Sequence, residues 1–190
     1  MTMPHETIDL KMLHDGWSRL FALRIRLPDG QVMKREVEDH GNAVGVLPYD
    51  PQRRVAMLVR LFRAPVFHMS GDEQTLEVPA GLLDEDDPAD CARREALEEV
   101  GLTLTSLEPV GTVWTMPGIS TERMHLYLAP YTPADRTGEG GGIVDEHENI
   151  TVCEMELAKL AAMVDDGRLA DLKTFALIQT LRLRRPDLFR

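Results

Sequence analysis

Between Asp87 and Gly101 the chain carries a segment that fits one local structure only. Asp87 can accept a backbone N–H as an N-cap, Pro88 suits the first helical position, and Asp90 complements the positive end of the helix dipole. Gly101 supplies a left-handed stop. The spacing predicts a helix over 88–100. Glu95 and Glu99 are four residues apart and Glu98 is three from Glu95, so the three carboxylates share a face. Ala89, Ala96, Leu97 and Val100 lie on the other side, ready to pack on a sheet. Like charges at this spacing repel by roughly 0.2–0.5 kcal/mol per pair. A plain solvated face gains nothing from that repulsion. A hard divalent cation does, since it takes oxygen ligands together with phosphate.

Around this helix the pattern is mostly strand. A hairpin is expected from Leu20–Leu27, a Pro28-Asp29-Gly30 turn and Gln31–Val37. Strands are expected at Ala43–Leu47, ending on Pro48-Tyr49-Asp50-Pro51, and at Arg54–Phe62 and Thr75–Val78. Met69–Asp72 reads as a loop, and Pro79-Ala80-Gly81 as a turn. Further strands are expected near Leu104–Trp114, Arg123–Leu128 and Ile150–Met155, with helices over 157–166 and 171–184. The Gly- and acid-rich stretch 133–149 reads as a flexible, solvated loop. Few helices among many strands imply an α+β class, with a mixed sheet flanked by helices.

At 190 residues the chain can bury a core without disulfides or structural metal. Cys91 and Cys153 form no CxxC pair and read as small buried side chains or free thiols. The formal net charge of −11 argues against a nucleic-acid face. It is compatible with a phosphorylated small substrate if a cation mediates. No apolar run approaches a membrane span, and the opening MTMPHETIDL lacks the pattern of a secretory signal, so a cytoplasmic location is expected.

Arg94-Glu95-Ala96-Leu97-Glu98-Glu99-Val100-Gly101-Leu102, opened upstream by Gly81, resembles the Nudix box. One departure is visible: the intervening loop is a residue short, and Asp86 or Asp87 stands where the family usually has a glutamate. The resemblance extends to Lys34–Val37, Gly41-Asn42-Ala43, Val59–Arg63, Leu76–Gly81 and Met116–Glu122, as in the ADP-ribose and nucleotide-sugar pyrophosphatases. Pro117, fifteen residues after Leu102, is placed as in the sugar-nucleotide group. The segment Gly81-Leu82-Leu83-Asp84, Cys91 and Gly140-Gly141-Gly142 look most like the GDP-mannose hydrolase branch.

That resemblance implies a Nudix fold, a mixed sheet between helices with an N-terminal β-hairpin or sheet extension. The expected division is 1–42 for the extension, swapped onto a partner in a homodimer, and 43–190 for the hydrolase domain. It implies Mg2+, with Mn2+ as a substitute, held by Glu95, Glu99 and the Ala80 carbonyl with help from Glu98. Gly81 would let the backbone turn close to the ion, and Arg94 would orient the acidic face. Arg35, Glu36, Arg60, Arg63 and Pro117 are candidates for gripping substrate. Glu146 or Glu148 would orient or activate water, with Glu98 as the next candidate. His68 and His125 read as structural or solvent-facing, and the basic tail (Arg182, Arg184, Arg185, Arg190) as a complement to a helix C-terminus. The implied substrate is a nucleoside diphosphate sugar, GDP-mannose first and ADP-ribose second. The third reading is a catalytically silent nucleotide-sugar-binding regulator.

Overall fold

A computed structural model describes residues 3–84, 87–142 and 149–190. Two compact units emerge: Met1–Asn42 with Val113–Met124, and Ala43–Thr112 with His125–Arg190. Residues 113–124 cluster with the N-terminal residues of the first unit.

The first unit is built on an antiparallel sheet of β1 (Glu6–Asp15), β2 (Arg19–Arg26) and β3 (Val32–Asp39), in that order. β2 and β3 are the expected hairpin, paired without a register shift from Arg19↔Asp39 to Arg26↔Val32. β1 was not foreseen. Its Ile8-Asp9-Leu10-Lys11-Met12 run alternates apolar with polar residues, yet the strand is exposed along almost its whole length.

The second unit centres on a sheet of order β10-β5-β4-β9-β8, where β4 is Asn42–Asp50, β5 Val55–Leu61, β8 Glu108–Trp114, β9 Arg123–Pro130 and β10 Thr151–Glu156. Two short strands, β6 (Thr75–Glu77) and β7 (Ala80–Leu83), pair with β5 and β4. β4 and β5 are buried almost continuously, the mark of strands covered on both faces. β4 runs past the expected stop at Pro48 because Tyr49 and Asp50 still pair with Ala56 and Val55. β8 starts later than expected, at Glu108 rather than Leu104.

Four helices flank this sheet: α1 (Ala64–Ser70), α2 (Pro88–Val100), α3 (Leu157–Asp165) and α4 (Leu172–Arg184). α2 is the expected helix, with Asp87 accepting from the Ala89 N–H and Gly101 in the left-handed conformation. Its core face is Cys91, Ala92, Ala96 and Val100, small side chains that bring the helix close to Val44, Val46, Met57 and Val59. The roll of α2 differs from expectation: Leu97 is 44% exposed, while Glu95 and Glu99 turn inward. α1 was not foreseen, and its last two residues fall in the loop expected at Met69–Asp72; none of its residues is buried and Pro65 sits in its first turn. No helix among the described residues is long and apolar enough to cross a membrane.

The glycine-rich stretch is more ordered than its composition suggests. Pro133–Asp135 forms a 3-10 turn closed reciprocally by Thr132 and Asp135. Beyond it, Gly141 and Gly142 donate to the carbonyls of Glu99 and Glu98 at 2.9 and 3.1 Å, and Thr137 and Gly138 donate to Gly101. Up to Gly142 this segment is therefore the C-terminal cap of α2, not a free loop: it satisfies carbonyls that the helix leaves unpaired.

Candidate active site

Glu95 and Glu99 are 8% and 3% exposed, and both lean on the strand that precedes their helix. The Ala80 N–H donates to Glu99 Oε2 at 3.2 Å. A Cβ built on Gly81 would overlap the Glu95 carboxylate. Gly81 lies in β7 without a positive φ, so the expected turn is replaced by a different requirement. The glycine is needed for the space it leaves to a carboxylate. The Ala80–Gly81 peptide is thus flanked by two buried carboxylates, oxygen ligands of the kind a hard divalent cation takes.

Arg94 stands over the same face, with Nη1 2.9 Å from Glu95 Oε1 and 3.2 Å from Glu98 Oε2. Glu98 is half-buried and turned toward Arg94. Among the described residues no group of three or more His, Cys, Asp or Glu side chains stands close enough together to hold an ion. What the described residues bring together at this point is two carboxylates, Glu95 and Glu99, beside the Ala80–Gly81 peptide. Glu146 and Glu148 lie outside the described residues.

Beside this face is a charge network that sequence reasoning missed. Arg63, just before α1, grips Glu77 through Nε and Nη2, each 2.9 Å from a carboxylate oxygen. Lys173 binds the same carboxylate and reaches Asp171 at 3.0 Å. Asp171 caps α4 through the Thr174 N–H, and Thr174 Oγ1 in turn accepts the Val78 N–H at 2.8 Å. Burial works against the charge on Glu77, but the hydrogen bonds and charges of Arg63 and Lys173 outweigh it and hold the carboxyl at about 2. The only signal in the sequence was a charged residue inside the short apolar run Leu76–Val78. Arg60, a second arginine candidate and one that lies on β5, is half-buried and pairs in register with Leu76 and Thr151.

In the first unit, Arg35 and Pro117 line one groove of about 310 Å³ with Leu23, Ile25, Val37 and Ile119. Glu36 follows Arg35 on the strand and so projects from the opposite face. A second cluster in this unit, around Glu38, His40 and Glu122, was also not singled out from the sequence. His68 and His125 are on the surface or half-buried, and His125 Nδ1 meets Thr112 Oγ1 at 3.1 Å. In the tail, Arg182 bonds Asp165 of α3, and Arg184 reaches the Pro109 carbonyl.

Residues 39–177 match the model of the NUDIX domain family. A GDP-mannose pyrophosphatase of Cronobacter sakazakii is 38% identical over 97% of this chain and 98% of its own length. Proteins of the same description from Pectobacterium atrosepticum and Escherichia coli are 35% and 34% identical, each over 97% of its own length. Among solved structures, an ADP compounds hydrolase superposes with a TM-score of 0.78 over 98% of this chain and 97% of its own, at 16% identity. That last likeness is one of fold.

Proposed function

Because this chain belongs to the NUDIX domain family, we propose that it hydrolyses the diphosphate bridge of a nucleoside diphosphate sugar, GDP-mannose foremost, to GMP and mannose 1-phosphate. The observation that carries this reading is the near-full-length similarity to GDP-mannose pyrophosphatases in a chain that keeps two buried carboxylates against Ala80–Gly81.

Nudix hydrolases generally need a divalent metal. Glu95, Glu99 and the Ala80 carbonyl would hold it, with Glu98 assisting. The ion, Mg2+ with Mn2+ as a substitute, would polarise the phosphoryl oxygens and acidify bound water. The protein's own part is positional. Arg94 bridges Glu95 and Glu98 through one nitrogen and so aims both. Arg63, held by Glu77 along one edge of its guanidinium, offers the opposite edge to the diphosphate. Arg60, on β5, adds further positive charge. Arg35, Glu36 and Pro117 serve the nucleoside or sugar end. A carboxylate, Glu146 or Glu148, accepts the proton of the attacking water, whose oxygen bonds to one phosphorus as the bridging P–O bond breaks. The protein works as a homodimer in the cytoplasm, the exposed apolar residues Leu10, Met12 and Leu13 of β1 meeting the second copy.

A panel of nucleotide sugars incubated with Mg2+, with products separated chromatographically, tests the proposal. GDP-mannose is expected to give GMP and mannose 1-phosphate at the highest kcat/KM. AMP and ribose 5-phosphate from ADP-ribose as the best reaction would move the substrate to the second reading. Tight binding without turnover would make the chain a silent regulator.

A further inference from the structure

In the first unit His40 sits between two carboxylates. Its Nδ1 is 2.6 Å from Glu38 Oε1 and its Nε2 is 3.4 Å from Glu122 Oε1. A neutral imidazole has a single N–H and can donate to only one of them; an imidazolium donates to both. Glu38 also accepts from Ser18, and from Ser120 at 2.7 Å. Glu122 accepts from Thr115. The nearby Asp39 has its charge met by Arg19 at 2.6 Å. The ring therefore fastens the 115–122 segment to β3, alongside the backbone bonds between Glu38 and residues Ile119 and Thr121. On its flat side, Trp17 from the β1–β2 turn stacks at 5.3 Å between centroids and 16° between planes, its own surface 79% exposed. Ser120, Ile119 and Pro117 of the fastened segment wall the groove that contains Arg35.

We propose that His40 is a positioning residue: as an imidazolium it clasps the 115–122 segment to β3 and backs the exposed indole of Trp17, so that the groove of Arg35 and Pro117 keeps its binding shape only while the ring is charged. The effect on catalysis rests on the nucleotide-sugar reading above; the clasp itself does not. Burial disfavours the charged ring, but the hydrogen bond and charge of Glu38 and the charge of Glu122 outweigh it and raise its pKa above the ordinary value. On deprotonation one carboxylate loses its donor. The Glu122 link is the one to open, because at 3.4 Å it is the longer and weaker of the two, against 2.6 Å for Glu38.

The chain has two tryptophans, so Trp114→Phe leaves Trp17 as the sole indole. A stacked imidazolium quenches indole emission and a neutral imidazole does not. Fluorescence of this variant, titrated between about pH 5 and 9, is expected to rise in one step with its midpoint above the usual histidine value of about 6.5. Adding His40→Gln should abolish the step, and adding Glu122→Gln should move its midpoint down. For the enzyme, KM should climb through the same pH range with kcat changing less, and His40→Gln should remove that climb. Absence of the step, or its survival in His40→Gln, overturns the clasp. A step with a pH-independent KM overturns the positioning role. Failure of the substrate reading leaves the fluorescence arm intact, since it uses no substrate.

Discussion

Glu77 shows how a single residue ties stability to the reactive face. Its carboxylate is nearly inaccessible, yet two cations hold it ionised. Its folded pKa of about 2 lies below the ordinary 4.5, so its contribution to stability is complete above 4.5 and is lost as pH falls through 2. The shift corresponds to roughly 3 kcal/mol. Denaturant unfolding at a series of pH values should show the wild type weakening across that window. Glu77→Gln should be less stable at neutral pH by about 3–5 kcal/mol, because Lys173 and Arg63 lose their partner, and flatter across the acid range. A neutral-pH stability equal to wild type would contradict this. Such residues hide in the sequence because their partners are distant: Lys173 lies 96 positions from Glu77. Glu95, Glu98 and Glu99 were legible because helical spacing alone puts them on one face.

Among the elements, α2 was readable from cap to stop because every signal is local: Asp87, Pro88 and Gly101 act within a turn of the helix they bound. The roll of that helix was not, since it depends on what β7 offers to Glu95 and Glu99. α1 escaped because it buries nothing and so leaves no periodic trace, whereas β1 was overlooked although Ile8, Leu10 and Met12 alternate with polar residues. The glycine stretch misled for the opposite reason: composition suggested freedom, but close approach to α2 is what requires these residues. Gly101 has φ 71°, and a Cβ there would strike the Gly138 carbonyl. Gly101→Ala should therefore cost at least about 1–2 kcal/mol of stability, read by thermal or denaturant unfolding. Gly81→Ala should behave differently. Its Cβ would displace the mobile end of Glu95, so activity and metal affinity should fall while the unfolding midpoint changes little. Matching effects of the two substitutions would refute the distinction.

For the whole molecule, burial changes from the exposed strands of the first unit to the continuously buried β4. Residues 113–124 join the first unit through the bonds of Glu38 to Ser120 and Thr121, pairings no local pattern announces. If the exposed apolar side chains of β1 meet a second copy, light scattering should return twice the 21.4 kDa chain mass. A monomer that still turns over nucleotide sugars would exclude that arrangement. The central claim is that Glu95 and Glu99 against Ala80–Gly81 form a metal-dependent hydrolytic centre. Steady-state hydrolysis of GDP-mannose by wild type and Glu99→Gln, titrated with Mg2+ and then with excess chelator, tests it most directly. Turnover should vanish in chelator and return with Mg2+, and Glu99→Gln should lose about a hundredfold or more in kcat with a folded, stable chain. Undiminished turnover in chelator, or in Glu99→Gln, would contradict it.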